Sequence, residues 1–225
     1  MKKWYFISPL LLQKLILIPT KLLFIIFADF EVKGRENLKG IKGNVIFACN
    51  HASEVDPILL PISVPFWSHF SPMFYASREK KFYSDAGWRR HFYGGNFFKA
   101  WGAYQVFIGL RDYEKALANQ IRIVKDGGTL CIFPEGRTSP NGLIQTTKGG
   151  VAYLAHVTKV PIVPVRLNGT FRLSLKVFLH RKRKVSVIFG KPIYVNLPND
   201  KLDAEAFKWF KDQSSEVMNI IKNMI

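Results

Sequence analysis

Residues 112–133 read DYEKALANQIRIVKDGGTLCIF, and this stretch indicates the fold class. Its apolar side chains recur at helical spacing over 112–126, which predicts a helix with one buried face. Gly127-Gly128 predicts the end of that helix, and the apolar run 129–133 predicts a strand directly after it. A helix that leads straight into a strand is typical of a layered α/β domain.

The same alternation continues on both sides of this stretch. Strands are predicted at 45–49, 162–167 and 185–189, and helices at 151–157 and 204–225. Interleaved strands and helices favour an α/β fold with a largely parallel sheet flanked by helices. No linker or repeat interrupts the chain after its N-terminal segment. We therefore expect membrane-anchor helices over 1–30 and one domain over 31–225.

The first thirty residues are dominated by Leu, Ile and Phe, but Lys14 and Lys21 interrupt them. No stretch therefore approaches the roughly 20 uncharged residues that a spanning helix needs, and the lysines also argue against a signal peptide. The two lysines fall on one stripe of a helix, which is typical of a segment that lies in the membrane interface. Pro9 and Pro19 predict two short helical pieces. The alternative is a helix packed on the protein's own core.

Charge narrows the class of partner. The formal net charge of +17 indicates a polyanion. An anionic membrane surface, a phosphate-bearing substrate or carrier, and nucleic acid all remain open on charge alone. The basic run 181–184 is either a solvated face or a site for anionic lipid or an acidic carrier protein. Cys49 and Cys131 lack metal-ligand spacing, as do the histidines, so no metal site is expected and buried thiols fit a cytoplasmic location.

A first candidate site follows the strand at 45–49. Asn50-His51 places an imidazole at the carboxyl end of that strand, where ligands bind in open α/β sheets. Pro57 favours a turn in which Asp56 meets the ring. Asp56 would then accept a hydrogen bond from one ring nitrogen and leave the other to take a proton from a substrate hydroxyl. The alternative is structural, because Asp56-Pro57 also suits the start of a helix and His51 a loop hydrogen bond.

A second candidate site follows the strand at 129–133. Gly136 permits backbone amides to approach a phosphate, and Arg137 offers a rigid fork for its oxygens, so a substrate-binding loop that includes Thr138 is predicted. Glu135 would either hold the Arg137 guanidinium or bond an acceptor hydroxyl. The alternative is a polar loop with an exposed ion pair.

Taken together, the segment from Asn50-His51 to Asp56 and residues 133–139 and 160–165 resemble the motif blocks of the 1-acylglycerol-3-phosphate acyltransferase family, in order and spacing. The resemblance runs from about residue 44 to residue 195. It implies a glycerolipid-acyltransferase-like fold with a mixed sheet and an amphipathic N-terminal anchor.

The resemblance also implies a reaction and its residues. His51 would be the general base and Asp56 its orienter, while Glu135, Gly136 and Arg137 would lie near the acceptor's phosphate. The implied activity is O-acyl transfer to a lysolipid acceptor in phospholipid biosynthesis. Acyl-CoA or acyl carrier protein would be the co-substrate, and no other cofactor is expected.

One block departs from the family pattern. Gly102-Ala103-Tyr104 aligns so that Ile108 falls where members acting on lysophosphatidate carry a phosphate-binding arginine. Arg111, three residues on, would substitute for it after a loop shift. The expected acceptor is therefore a lysophosphatidate-type glycerolipid or, as an alternative, a lysophospholipid or other hydroxylated lipid with a different headgroup.

An enzyme at the cytoplasmic face of a membrane, peripheral or monotopic, is the resulting hypothesis. A different class of function is a basic membrane- or nucleic-acid-binding protein without catalysis. Because the chain carries no recognisable nucleic-acid motif, no nucleic-acid partner is expected.

Overall fold

The computed structural model describes residues 4–78, 96–107, 109–110, 112–181, 183–198 and 204–224. The helices within these ranges are α1 (Ile7–Ala28), α2 (Asp56–Ser63), α3 (Asn96–Trp101), α4 (Tyr113–Ala116), α5 (Ala118–Lys125), α6 (Gly150–Thr158), α7 (Leu175–Leu179) and α8 (Ala204–Asn223). The strands are β1 (Glu31–Lys33), β2 (Ile46–Cys49), β3 (Met73–Ser77), β4 (Ala103–Gln105), β5 (Thr129–Ile132), β6 (Ile162–Asn168) and β7 (Ser186–Phe189).

The described strands form one sheet in the order β1-β7-β6-β2-β5-β3-β4. Neighbouring strands are parallel except for β6 and β7, which are antiparallel. The predicted mixed, largely parallel sheet flanked by helices is therefore confirmed. Because β2 lies between β5 and β6, the carboxyl ends of these three strands share one edge of the sheet, which we call the carboxyl edge.

Helices cover both faces of the sheet. Ile46 and Ala48 of β2 pack in the cluster that contains α6 and α8, whereas Phe47 and Cys49 pack in the cluster that contains α1 and α2. Successive residues of a strand point to opposite faces. Every residue of β2 is consequently buried, which explains why its sequence is apolar throughout rather than alternating.

The helix predicted over 112–126 is interrupted. α4 ends at Ala116, and Leu117 leaves helical geometry before α5 begins. The carbonyl of Ala116 accepts the backbone N–H of Phe107 at 3.0 Å, and in a continuous helix it would accept from Gln120 instead. A contact with a neighbouring segment therefore replaces one helical hydrogen bond.

At the N-terminus, the predicted break into two helical pieces is wrong, because α1 runs unbroken through Pro19. Pro9 falls in the first turn, where a backbone N–H has no partner within the helix. Leu17 and Phe24 are buried on either side of Pro19, and their packing holds the helix together across the missing hydrogen bond.

A buried glutamine ties α1 to the sheet. Gln13 is 2% exposed, and its Nε2 donates to the carbonyls of Met73 at 2.7 Å and Trp101 at 3.0 Å. Its Oε1 accepts the backbone N–H of Met73 at 2.9 Å. One face of α1 is thus packed on the protein's own core.

The opposite face of α1 is apolar and exposed. It carries no charged side chain, and its members are Ile7, Ser8, Leu11, Leu15, Ile18, Pro19, Leu22, Leu23, Ile25 and Ile26. By length and composition the helical segment Trp4–Ala28 is able to cross a membrane, and only 17% of its most apolar window is buried. A helix packed in a protein core or a signal sequence meets the same criterion. The exposure of the α1 side chains therefore says more about a membrane contact than the length and composition of the helix do. We call these exposed residues the outward face of α1.

Lys14 does not extend outward as the interfacial pattern suggested. Its Nζ is buried and lies 4.3 Å from the centroid of the Phe66 ring. The ammonium thus contacts an aromatic face of the domain. Only Lys21, which is half-exposed, keeps the expected position at the margin of the apolar surface.

Candidate active site

The order of the strands brings the two candidate loops together. His51 and the loop that starts at Pro134 follow β2 and β5, which are parallel neighbours, so both lie at the carboxyl edge. The backbone N–H of Ser139 donates to the carbonyl of His51 at 2.8 Å and joins the loops directly. The site predicted from two separate motifs is one place in the structure.

Asn50 fixes the start of the His51 loop. Its Nδ2 donates to the carbonyl of Leu167 at 2.9 Å, and its Oδ1 accepts the N–H of Leu167 at 2.8 Å. The side-chain amide thereby continues the pairing of β2 with β6 beyond the last residue of β2. The sequence motifs do not identify Asn50 as a site residue, although a polar residue directly after an entirely apolar strand is a signal for such a role.

His51 and Asp56 meet as predicted. The His51 Nδ1 lies 2.9 Å from the Asp56 Oδ2, and the same oxygen accepts the backbone N–H groups of Ala52 at 2.7 Å and Ser53 at 2.8 Å. Asp56 is fully buried. A carboxylate oxygen can only accept, so Nδ1 carries the hydrogen and Nε2 presents its lone pair; this tautomer is assigned from the hydrogen-bond network.

Asp56 does not act simply as a residue that starts a helix, which was the alternative to a role beside His51. Asp56 is the first residue of α2, but its Oδ2 bonds the His51 loop and its Oδ1 has no hydrogen-bond partner among the described residues, so the side chain does not cap that helix. The turn lies just before it, where the N–H of Asp56 donates to the carbonyl of Ser53 at 3.2 Å. Asp56 therefore begins α2 and, because of this turn, still reaches the ring.

An aromatic ring holds the imidazole from one side. Phe133 stacks on His51 with ring centroids 4.1 Å apart and an interplanar angle of 22°. The stack and the Asp56 hydrogen bond together restrict the ring to one orientation. The position of Phe133 beside His51 follows from the pairing of β2 with β5, which the sequence pattern does not reveal.

The other ring nitrogen points toward an exposed hydroxyl. The Oγ1 of Thr138 lies 3.3 Å from the His51 Nε2, and Thr138 is exposed. The space beside Nε2 therefore accommodates an oxygen at near hydrogen-bonding distance and borders solvent. That is the position from which a substrate hydroxyl would give up its proton.

Glu135 bridges the two loops through the backbone. It is 6% exposed, its Oε1 accepts the N–H of His51 at 2.8 Å, and its Oε2 accepts the N–H of Gln145 at 2.8 Å. Burial raises the pKa of this carboxyl, although the two N–H donors oppose the shift. Both oxygens thus have backbone partners, whereas the sequence suggested Arg137 or an acceptor hydroxyl.

Arg137 and Gly136 are exposed at the mouth of the site. Within the described ranges Arg137 makes no ion pair, so the expected pair with Glu135 is not formed. Gly136 has a φ of 67°, which suits glycine, and its carbonyl accepts a hydrogen bond from the Nε of Arg78 at 2.8 Å. Arg78 therefore lies beside the candidate anion loop.

A cavity of about 320 Å³ adjoins Arg78 at the ends of β3 and β4. Its described lining carries the cations Arg78, Lys99 and Arg122 and no carboxylate. Gln105 and Phe107 line it as well. Ile108 and Arg111 lie outside the described residues. They are the two residues that decide whether the chain carries the family's phosphate-binding arginine.

Cys49 precedes His51 by two residues but is fully buried on the face of α1 and α2. Burial raises the pKa of its thiol well above the usual value, as it does for Cys131. These thiols are therefore core groups. Among the described residues no cluster of His, Cys, Asp and Glu is arranged to hold a metal ion.

Comparison with known proteins supports one family. A family model described as Acyltransferase matches residues 29–168, which is more than half of the chain. The matched region contains both loops of the candidate site. It begins at the end of α1 and ends with β6.

Relatives and a solved structure point the same way. The chain is 36% identical over 100 residues to a probable 1-acyl-sn-glycerol-3-phosphate acyltransferase of Mycoplasma pneumoniae, covering 39% of this chain and 37% of that protein. It is 33% identical over 115 residues to the chloroplastic 1-acyl-sn-glycerol-3-phosphate acyltransferase BAT2 of Brassica napus, covering 49% of this chain and 31% of that protein. The matches thus span about a third of the length of these relatives.

The crystal structure of the 1-acyl-sn-glycerophosphate acyltransferase PlsC from Thermotoga maritima is similar in fold. The TM-score is 0.59 at 24% identity, and the match covers 95% of this chain and 82% of that one. Similarity at this identity concerns the fold alone. With the family model covering more than half of the sequence, the chain belongs to the acyltransferase family.

Proposed function

We propose that the chain transfers a fatty acyl group from an acyl thioester to the free hydroxyl of a lysophosphatidate-type glycerolipid, with His51 as general base. The observation that carries this proposal is that the two nitrogens of the His51 ring have different surroundings. Nδ1 is engaged by the buried Asp56 carboxylate, and Nε2 is turned toward an exposed space that already holds an oxygen at 3.3 Å.

The reaction follows from that geometry. Nε2 of His51 takes the proton of the acceptor hydroxyl while the acceptor oxygen attacks the thioester carbonyl carbon. The tetrahedral intermediate collapses, the carbon–sulfur bond breaks, and the leaving thiolate receives the proton from the imidazolium. Asp56 stabilises the transient imidazolium and keeps the ring in one tautomer.

No protein nucleophile takes part in this scheme. The Cys49 thiol is buried, and burial raises its pKa, so the reactive thiolate is disfavoured. Glu135 acts on the reaction through position alone, because its carboxylate holds the backbone of His51 rather than facing the substrate.

The acceptor's phosphate would be recognised at the mouth of the site. Arg137 is exposed there, and Arg78 lies beside it on the Gly136 carbonyl. A guanidinium provides the fork geometry that suits a phosphate monoester. The names of the two curated relatives favour lysophosphatidate, whereas Ile108 keeps a lysophospholipid with another headgroup as the alternative acceptor.

The outward face of α1 supports membrane association. An uncharged, exposed surface of leucines and isoleucines along a helix is the kind of surface that a bilayer interface covers. We propose a peripheral or monotopic protein at the cytoplasmic face of the membrane. Acyl-CoA or acyl carrier protein would deliver the acyl group from the aqueous side.

A panel of purified substrates tests the function. The full chain in mixed micelles is given acyl-CoA or acyl carrier protein as donor, against lysophosphatidate, lysophosphatidylglycerol and lysophosphatidylethanolamine as acceptors. We expect diacyl product with lysophosphatidate and release of one thiol per product. Exclusive use of another lysolipid would overturn the acceptor, and absence of product from every pair would overturn the function.

A further inference from the structure

The connection between β6 and β7 lies at the carboxyl edge. β6 is parallel to β2, so the chain leaves β6 at the edge that holds His51, and it re-enters the sheet there because β7 is antiparallel to β6. This connection, residues 169–185, contains α7. No described residue of α7 is buried, and Leu175 and Leu179, one helical turn apart, are 71% and 49% exposed.

α7 packs against the last turns of α1. Phe178 packs against Phe24 and Phe27, with ring centroids 5.0 and 5.7 Å apart. The backbone N–H of Val185 donates to the carbonyl of Ala28 at 2.8 Å, which places the end of α1 at the same edge of the sheet. The exposed leucines of α7 therefore lie near the last turns of α1, at the edge of the sheet that holds His51.

The connection is strongly basic. Residues 169–185 contain six Lys or Arg and no Asp or Glu. Arg172, Lys176 and Arg181 are exposed. Lys184 instead lies 3.1 Å from Glu31 and 3.7 Å from Asp29. Exposed leucines bordered by cations are typical of a segment that enters the headgroup layer of an anionic bilayer.

The same connection touches the candidate active site. A Cβ atom built on Gly142 would lie 2.8 Å from the Cγ of Phe171, so the Phe171 ring packs directly on the backbone of the loop that carries Thr138. Arg183 donates to the carbonyl of Phe171 and holds this segment in place. α7 and the His51 loop are therefore linked through a short chain of packed residues.

We propose that α7 and its exposed cations form a second membrane contact, specific for an anionic bilayer surface. Leu175 and Leu179 enter the interface, while Arg172, Lys176 and Arg181 bind lipid phosphates. Together with α1, this contact holds the carboxyl edge against one leaflet, so that a lysolipid passes laterally from the leaflet to His51. The last step rests on the proposed function; the membrane contact does not.

Two labelled variants test the contact directly. Leu175→Cys, carrying an environment-sensitive fluorophore, is compared with Lys39→Cys, whose exposed position precedes β2 and so lies at the opposite edge. With phosphatidylcholine vesicles containing phosphatidylglycerol, we expect a blue shift at position 175 and none at 39. No shift at 175, or equal shifts at both, would overturn the proposal.

Charge variants provide the second arm. The triple variant Arg172→Gln, Lys176→Gln, Arg181→Gln should bind the anionic vesicles roughly a hundredfold more weakly, since each basic residue near a surface adds about 1 kcal/mol of attraction and about 1.4 kcal/mol is a factor of ten. The matched triple Lys39→Gln, Lys42→Gln, Lys125→Gln, with exposed lysines that precede β2 and β5, should bind like the wild type. Equal losses in both triples would show that only net charge matters and would overturn the proposal.

Activity separates this proposal from the proposed function. Acyl transfer to lysolipid embedded in vesicles should fall in the α7 triple, while transfer to lysolipid in micelles is retained. A loss confined to acyl carrier protein as donor, with vesicle binding intact, would assign the cations to a carrier protein and overturn the membrane contact. Vesicle binding is measured without substrates, so a chain that fails to transfer acyl groups but shows the shift at 175 contradicts the function alone.

Discussion

The buried carboxylate of Glu135 accepts the backbone N–H of His51 at 2.8 Å, and this hydrogen bond joins residues that are 84 positions apart. The other oxygen of Glu135 accepts the N–H of Gln145. The two loops of the candidate site are thus tied at the point where His51 leaves β2. Glu135 is therefore a positioning residue. Its substitution should have different effects from the loss of a substrate ligand.

Replacing Glu135 with Gln should remove the contribution of this carboxyl to the pH dependence of the free energy of unfolding. Burial raises the pKa of this carboxyl above its usual 4.5, so the folded protein binds the proton more tightly than the unfolded chain. The free energy of unfolding of the wild type should therefore rise relative to Glu135→Gln as pH falls from neutral toward 4.5. Urea unfolding of both proteins at a series of pH values measures this change. A wild-type free energy of unfolding that falls relative to that of Glu135→Gln on acidification would contradict the raised pKa.

The substitution Asp56→Asn should lower kcat by roughly 10²- to 10⁴-fold, because an amide at this position favours the wrong tautomer of His51 and no longer stabilises the imidazolium. Glu54→Gln is the matched control, since Glu54 is an exposed carboxylate two residues away. Circular dichroism confirms that each variant is folded. Normal turnover in a folded Asp56→Asn protein would show that the pair is not an acid–base device.

Thr138→Val tests whether transfer is direct. The valine keeps the shape of the side chain and removes the hydroxyl that lies 3.3 Å from the His51 Nε2. Because only a single hydrogen bond is lost, kcat should stay within about tenfold of the wild type. Mass spectrometry of the wild type during turnover should find no acylated peptide from this loop. An acyl adduct on Thr138, with activity abolished in the valine variant, would indicate a covalent intermediate instead.

Asn50→Asp should destabilise the protein by about 1–3 kcal/mol, because a carboxylate cannot donate to the buried carbonyl of Leu167 and two acceptors would face each other. The same change at Asn119, whose hydrogen bond to the Gln105 carbonyl is exposed, is the control. Urea unfolding measures both. Equal stabilities for the two variants would show that the Asn50 amide does not hold the His51 loop.

The site was largely predictable because it depends on local rules. His51 and the loop after residue 133 each follow an apolar strand, and parallel strands place such residues at one edge. The meeting of His51 with Asp56 needs only a five-residue turn. The α/β class likewise follows from alternating strands and helices, which are local patterns.

The parts that escaped prediction depend on which strands are neighbours. Asn50 pairs with Leu167, 117 positions away, and Glu135 finds His51, because β2 lies between β5 and β6. Sequence periodicity does not supply that order. The inward turn of Lys14 onto Phe66 and the unbroken helix at Pro19 have the same origin, since packing on the domain outweighs local preference.

The central claim is that His51 is the general base, and the most direct measurement is kcat of His51→Ala with the preferred donor and acceptor in micelles. We predict a loss of roughly 10²- to 10⁴-fold, with vesicle binding and the thermal unfolding midpoint close to those of the wild type. His180→Ala, an exposed histidine on the α7 connection, is the control and should turn over normally in micelles. Undiminished turnover in His51→Ala would contradict the account.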